Sequence, residues 1–343
     1  MTINQERIYS FKNDYSAGAH PKILQALSET NLEQQAGYGK DDYSKQAVSI
    51  LQNKIQDKDS DIHLVPGGTQ ANLIVISSIL KSYESVIAAN TGHINTHEAG
   101  AIEATGHKIN TVESQTGKLN PDHIKTVLEQ HTDEHMVKPK LVFISNPTEL
   151  GTIYTKKELV ELASFCKNND LLLYVDGARL GSALSSSEND LTLSQLSDLV
   201  DVFYIGGTKN GALCGEAIII NNDQLKEDFR FNLKQKGALF AKGRVLGIQF
   251  VELFKDDLFF SLAEHANAMA DKLSQNIASL GYEFLTETNS NQLFPILPNT
   301  LIDKLSEKYS FHVWSEINNQ RSAIRLVTSW ATKEEMVDRF ISD

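Results

Sequence analysis

Cysteine is nearly missing from this chain. Its 343 residues hold two, Cys166 and Cys214, with no CxxC pair and no Cys/His cluster at zinc spacing. A structural metal site is therefore not expected, and both thiols are expected to be reduced. A positive excess is missing too. The formal net charge is −12, with acidic and basic residues interspersed. Without a basic stripe, neither nucleic acid nor an anionic membrane is an expected partner, and the charge reads as a solubility feature. No apolar run approaches the roughly 18 residues of a membrane span. The opening MTINQERIYSFKND carries no apolar signal core, which points to the cytoplasm. Internal repeats and long low-complexity stretches are absent, and SSSEND (185–190) reads as a short polar loop. What remains, 41% hydrophobic and 22% charged, is ordinary for a soluble globular protein of about two domains.

Strand-like runs alternate with helical ones. Strands are expected at 85–89, 107–112, 140–145, 171–176, 201–206 and 216–221, and helices at 43–57, 69–82, 120–131, 155–168 and 222–235. That alternation predicts βα units around a mostly parallel sheet. LLLYVD and DVFYIG are almost continuously apolar, as strands covered on both faces must be. A strand-free helical stretch, 241–280, precedes short strand patterns at 282–286, 291–297, 311–317 and 323–330. We therefore expect an N-terminal arm (1–14), a large α/β domain (15–258) and a small C-terminal α+β domain (259–343). Ligands of open α/β sheets bind outside the carboxyl ends of the strands, so functional residues are expected just after them.

Several segments at such strand ends carry chemistry. IGGTKNGALCG (205–215) places Lys209 among glycines after an apolar strand. A lysine at a buried strand end must be paired or lowered in pKa, and a lowered pKa suits a Schiff-base lysine. The plain alternative is a surface-turn lysine. VDGARL (175–180) puts Asp176 at another strand end, with Arg179 three residues on; the alternative is a surface ion pair. VPGGTQANLIVISSIL (65–80) opens an apolar helix with Gly68 and Thr69, a start whose N–H groups attract anions, or simply an N-cap with glycines. It is neither a Walker loop nor a GxGxxG fingerprint, so a nucleotide is less favoured. TGHINTHEAGAIEATGH (91–107) contains His93, His97 and His107. An imidazole there can stack on an aromatic ring or move protons. The HExxH arrangement is absent, so no metal is expected, and His97 and His107 read as structural.

Together these segments resemble the threonine aldolase branch of the fold-type-I pyridoxal-phosphate (PLP) enzymes, the β-eliminating lyase family. FKND (11–14), GAHP (18–21), YGKD (38–41), PGGTQAN, GHINTHEAG, VDGARL, TKNGALCG and IRLVTSWATKEEMVDRF resemble its successive landmarks in family order, from about residue 11 to 342. The resemblance implies the aspartate aminotransferase fold, with PLP as cofactor and a small amino acid as substrate. It implies that Lys209 carries the cofactor and Asp176 pairs with its pyridine nitrogen. Gly68 and Thr69 would hold the phosphate and His93 would stack on the ring. Arg179 would lie by the cofactor and the substrate carboxylate. Arg325 would be a second carboxylate clamp, and Asn13 would stand for a serine that binds the same group. Tyr38 would lie near the phosphate, from a neighbouring subunit of a homodimer or homotetramer with shared sites.

Two departures stand out. An Asn-Thr-His run of the family is replaced by SNPTELGTIY (145–154), leaving Pro147, Thr148 and Glu149 on the substrate side. A Gly-Gly-Gly-Met-Arg-Gln run is replaced by KGALFAKGR (236–244), where Lys242 or Arg244 would substitute for the phosphate arginine. The expected reaction is retro-aldol cleavage of L-threonine or L-allo-threonine to glycine and acetaldehyde, with His93, His97 or a held water as base. The alternatives are another PLP reaction, such as β-elimination or transamination, and a catalytically silent PLP-binding protein.

Overall fold

The computed structural model describes residues 8–287 and 289–343; the first half of the expected N-terminal arm lies outside them. Seven strands form the central sheet: β1 (Asp61–Val65), β2 (Glu84–Ala89), β3 (Ile109–Val112), β4 (Lys138–Ser145), β5 (Leu172–Asp176), β6 (Val202–Gly206) and β7 (Glu216–Ile220). Their order is β1-β7-β6-β5-β4-β2-β3. All neighbours are parallel except β7, which runs antiparallel to both β1 and β6. The mostly parallel sheet expected from the sequence is thus present.

The apolar runs explain why it forms there. Along β6, Phe203 and Ile205 join one core cluster while Val202 and Tyr204 join another on the opposite face. Side chains alternate between faces along a strand, so a sheet covered on both sides needs such uninterrupted runs. Helix α1 (Gly68–Ile79) covers the second face through Ala71, Ile74 and Val75. Helix α2 (Lys156–Asn168) covers the first through Leu159 and Leu162. A reciprocal capping box between Thr155 and Glu158 starts α2.

The small sheet contains β8 (Gln292–Leu293), β9 (Ile296–Pro298), β10 (His312–Asn318) and β11 (Arg321–Val327), with β11 paired to the other three. Helix α3 (Leu258–Ser279) links the two sheets: Phe259 and Leu262 pack with the large core, Met269, Leu273 and Ile277 with the small one. No helix among the described residues is long and apolar enough to cross a membrane.

Several local expectations need correction. Residues 282–286 form no strand; Phe284 makes a single bridge, to Pro295, flanked by the Leu285 N–H on the Phe294 carbonyl (2.9 Å) and the Ile296 N–H on the Glu283 carbonyl (2.8 Å). The 291–297 pattern splits into β8 and β9. The helix expected over 222–235 breaks into a short 3-10 turn (Asp223–Leu225) and a helix (Phe229–Gln235), with Asp228 in a left-handed conformation between them. Strand β1 and the helix Pro21–Glu29 were not anticipated.

Candidate active site

The carboxyl ends of β1, β2, β4, β5 and β6 and the amino end of the reversed β7 share one edge of the sheet. Ser145 pairs with Asp176 in register, and Glu216 sits between Val65 and Gly206. The segments holding Gly68, His93, Glu149, Asp176 and Lys209 all leave from that edge. Two glycines let the β5 and β6 exits touch. A Cβ on Gly177 would lie 1.9 Å from the Tyr204 carbonyl oxygen, and one on Gly206 would lie 2.3 Å from that of Ala178. Only backbone without a side chain can approach so closely.

Asp176 is buried and fully engaged. It accepts from the Tyr204 hydroxyl (2.5 Å), the Asn72 amide (3.0 Å) and the Ala178 N–H (3.0 Å). Asn72 on α1 also donates to Glu98 Oε1 (2.7 Å) and accepts from the Tyr174 hydroxyl (2.8 Å). Glu98 in turn receives His93 Nδ1 at 2.8 Å. An ionised carboxylate only accepts, so this contact places the proton on Nδ1. The ligand atoms of His93, Glu98 and Asp176 lie within 4.8 Å of one another, a spacing open to a metal. The Asn72 amide, however, already donates to both carboxylates, which marks a hydrogen-bonded network instead of a coordination shell.

Lys209 follows β6 and is partly buried. Burial, and then the Arg179 charge, hold its amine below the usual lysine range. Behind its loop, Glu216 is buried and accepts from the Gly207 N–H at 3.0 Å. Burial pushes the Glu216 carboxyl up to about 8, against the pull of the Thr208 hydroxyl and the Lys209 charge.

Arg179 is gripped by Asp14, with Nε at 2.6 Å and Nη2 at 3.1 Å. Asn291 donates to the same carboxylate at 3.0 Å. Burial opposes ionisation of Asp14, but Arg179 and Lys209 win and hold its carboxyl below the usual range. Arg325 on β11 differs: it stacks on Trp314 at 5.3 Å, and its buried Nε has no partner. Burial and the charge of Arg179 weaken its hold on its proton. At the start of α1 the N–H groups of Gly68, Thr69 and Gln70 find no acceptor among the described residues. A Cβ on Gly68 would meet the Tyr204 hydroxyl at 3.0 Å, so glycine there keeps Tyr204 free to reach Asp176.

Other expected residues lie differently. Asn13 turns its side-chain oxygen to the Tyr15 N–H and the Ser16 hydroxyl. Tyr38 is exposed, with Lys234 4.4 Å from its ring centre. Arg244 is spent on the carbonyls of Thr30 and Glu33, so it does not serve the α1 start, while Lys242 is exposed. His97 meets the His93 ring edge-on at 5.6 Å, and buried His107 bonds the Glu84 carbonyl at 3.1 Å. Sequence reasoning passed over Asp14, Asn72, Glu98, Tyr204 and Glu216. The first three stand inside FKND, PGGTQAN and GHINTHEAG, and that membership is the available signal.

Known proteins resemble this chain in sequence and in fold. Residues 11–298 match the family model described as beta-eliminating lyase. A low specificity L-threonine aldolase of Pseudomonas sp. (strain NCIMB 10558) is 33% identical over 339 residues, 97% of this chain and 96% of that protein. A Leishmania major threonine aldolase structure is 49% identical, with a TM-score of 0.96 over 97% of this chain and 98% of that one. A Thermus thermophilus aspartate aminotransferase, 12% identical, shares the fold at a TM-score of 0.72, covering 98% of this chain and 90% of that one.

Proposed function

Because the chain belongs to the β-eliminating lyase family, in its threonine aldolase branch, we propose that it cleaves L-threonine and L-allo-threonine to glycine and acetaldehyde. The family depends on PLP, and the residues present fit that cofactor. Asp176 is a buried carboxylate held rigid by three donors, suited to a pyridinium nitrogen. The α1 start offers free N–H groups to a phosphate. His93 is oriented from behind by Glu98, and Lys209, with its lowered pKa, is suited to holding the cofactor covalently. Bound PLP would supply the sink for the electron pair freed when the Cα–Cβ bond breaks.

The protein's own part is positioning and proton control. The observation that carries the reading is Arg325, a guanidinium whose buried Nε lacks an acceptor beside the Arg179–Asp14 pair. A substrate carboxylate supplies that acceptor, and a guanidinium fork binds it in a fixed orientation. Arg179, already neutralised by Asp14, shapes the site more than it clamps. Asp176 would set a negative charge against the pyridine nitrogen of bound PLP and would favour its protonated form.

We also propose a homo-oligomer, dimer or tetramer, with sites at the subunit interface. Exposed Leu32 (92%), Phe231 (75%) and Tyr38 (44%) on one chain support it. Incubating the PLP-loaded protein with both substrates and measuring glycine and acetaldehyde tests the reading. Equal release of both supports it; ammonia with a keto acid would instead indicate an eliminating or transaminating enzyme on the same scaffold.

A further inference from the structure

Five acidic side chains surround the Lys209 site, and four are committed. Asp176 has three donors, Asp14 holds Arg179 and Asn291, Glu98 holds Asn72 and His93 through Oε1 while its unpartnered Oε2 is sealed from solvent, and Glu216 lies buried behind the lysine loop. The fifth is Glu149, on the loop after β4. Its Oε1 is fixed by the His93 N–H (2.9 Å) and the Ser145 hydroxyl (2.7 Å). Its Oε2 receives no hydrogen bond from the described residues, and the residue is half-buried. The loop thus presents one oriented carboxylate oxygen without a partner next to His93.

We infer that Glu149 is the base that takes the β-hydroxyl proton of the substrate during Cα–Cβ cleavage, an inference that rests on the aldolase reading above. The step balances within the substrate. The O–H bond breaks to Glu149, and its electron pair becomes the second C–O bond of the aldehyde. The Cα–Cβ bond breaks and its pair stays with the Cα fragment. That fragment then takes up a proton to give glycine. Burial, and then the nearby Asp176 charge, push the Glu149 carboxyl above the usual range, towards the strength that suits proton transfer near neutral pH. The competing groups are less free: His93 is tied through Nδ1 to Glu98, and His97 touches the site through the edge of His93.

The test compares the parent enzyme with Glu149→Gln and Glu149→Asp, each loaded with PLP. The glutamine keeps an oxygen for the His93 N–H and the Ser145 hydroxyl but cannot take up a proton. Threonine cleavage is followed by acetaldehyde release, and exchange of the glycine α-proton in heavy water by NMR. PLP retention is followed by absorbance. Glycine has no β-hydroxyl, so its exchange needs no base at Glu149. We expect E149Q to lose about 100-fold or more in cleavage, the scale of a missing general base, with glycine exchange and PLP retention unchanged and E149D partly restored. Unimpaired cleavage by E149Q overturns the assignment. So does an equal loss of cleavage and glycine exchange, which would make Glu149 a shaping residue. A parent enzyme that exchanges glycine protons yet cleaves neither threonine isomer would bring down the aldolase reading itself.

Discussion

The floor and the mouth of the site are built on opposite terms. On the floor, Asp176, Asn72, Tyr204, Tyr174 and Glu98 lock one another in place without any ligand. At the mouth, Arg325 Nε and Glu149 Oε2 have no partner, and the N–H groups opening α1 lack acceptors. A network fixed in advance by its own hydrogen bonds needs no rearrangement when charge develops above it. Groups left unsatisfied define by their chemistry what must arrive: anions at Arg325 and α1, a proton donor at Glu149. Removing a floor residue or the proton-accepting Glu149 should therefore damage the chemistry, and removing the anion-binding Arg325 should damage capture of the substrate.

Substitutions can break that contrast. Lys209→Ala should abolish turnover; full activity in a steady-state assay would refute the scheme. Asp176→Asn should lower kcat on the order of 100-fold, the scale of losing one preorganised electrostatic partner, with a smaller change in KM. Arg325→Ala should do the reverse, raising KM about 10- to 100-fold, as expected for one charge-assisted hydrogen bond, with kcat less affected. A kcat-only effect at Arg325 would erase the distinction between mouth and floor. Tyr204→Phe removes one donor to Asp176 and should reduce kcat roughly fivefold, the value of an ordinary hydrogen bond.

The mildest effect concerns stability. In the folded chain the Glu216 carboxyl titrates up at about 8. A raised carboxyl favours the fold while protonated, and that contribution is lost as pH rises from the ordinary glutamate range through about 8. Glu216→Gln stays neutral throughout. The cofactor-free variant should therefore gain stability relative to its parent between pH 5 and pH 8, read as a rising difference in urea midpoint. A constant difference would show that Glu216 is ionised in the fold.

Much of the site is legible in the amino-acid sequence alone. Lys209 and Asp176 follow apolar runs and are flanked by glycines, and that local grammar survives folding because strand ends and tight backbone approaches are local events. The residues that read poorly are those whose meaning is made at a distance. Asn72 reaches Asp176 across 104 residues of sequence and Glu98 across 26. Glu216 opens an apolar strand and looks like its first residue. β1, DIHLV, is short and mixed in polarity, and its pairing with β7 is invisible from its own letters. At 282–286 the alternation is genuine, but the pairing stops at a single bridge, Phe284 to Pro295, and a strand is made by its partner as much as by its own letters.

The first described residues carry a practical lesson. Tyr9 and Ser10 pair in parallel with Tyr309 and Ser310, Phe11 is buried in the small-sheet core, and three residues later Asp14 grips Arg179 beside the large sheet. This short stretch is a strap between the two halves of the molecule, and its buckle is an active-site ion pair. Whoever trims this end to aid crystallisation, or splices a fusion partner into it, is adjusting the alignment of Lys209 with Arg325.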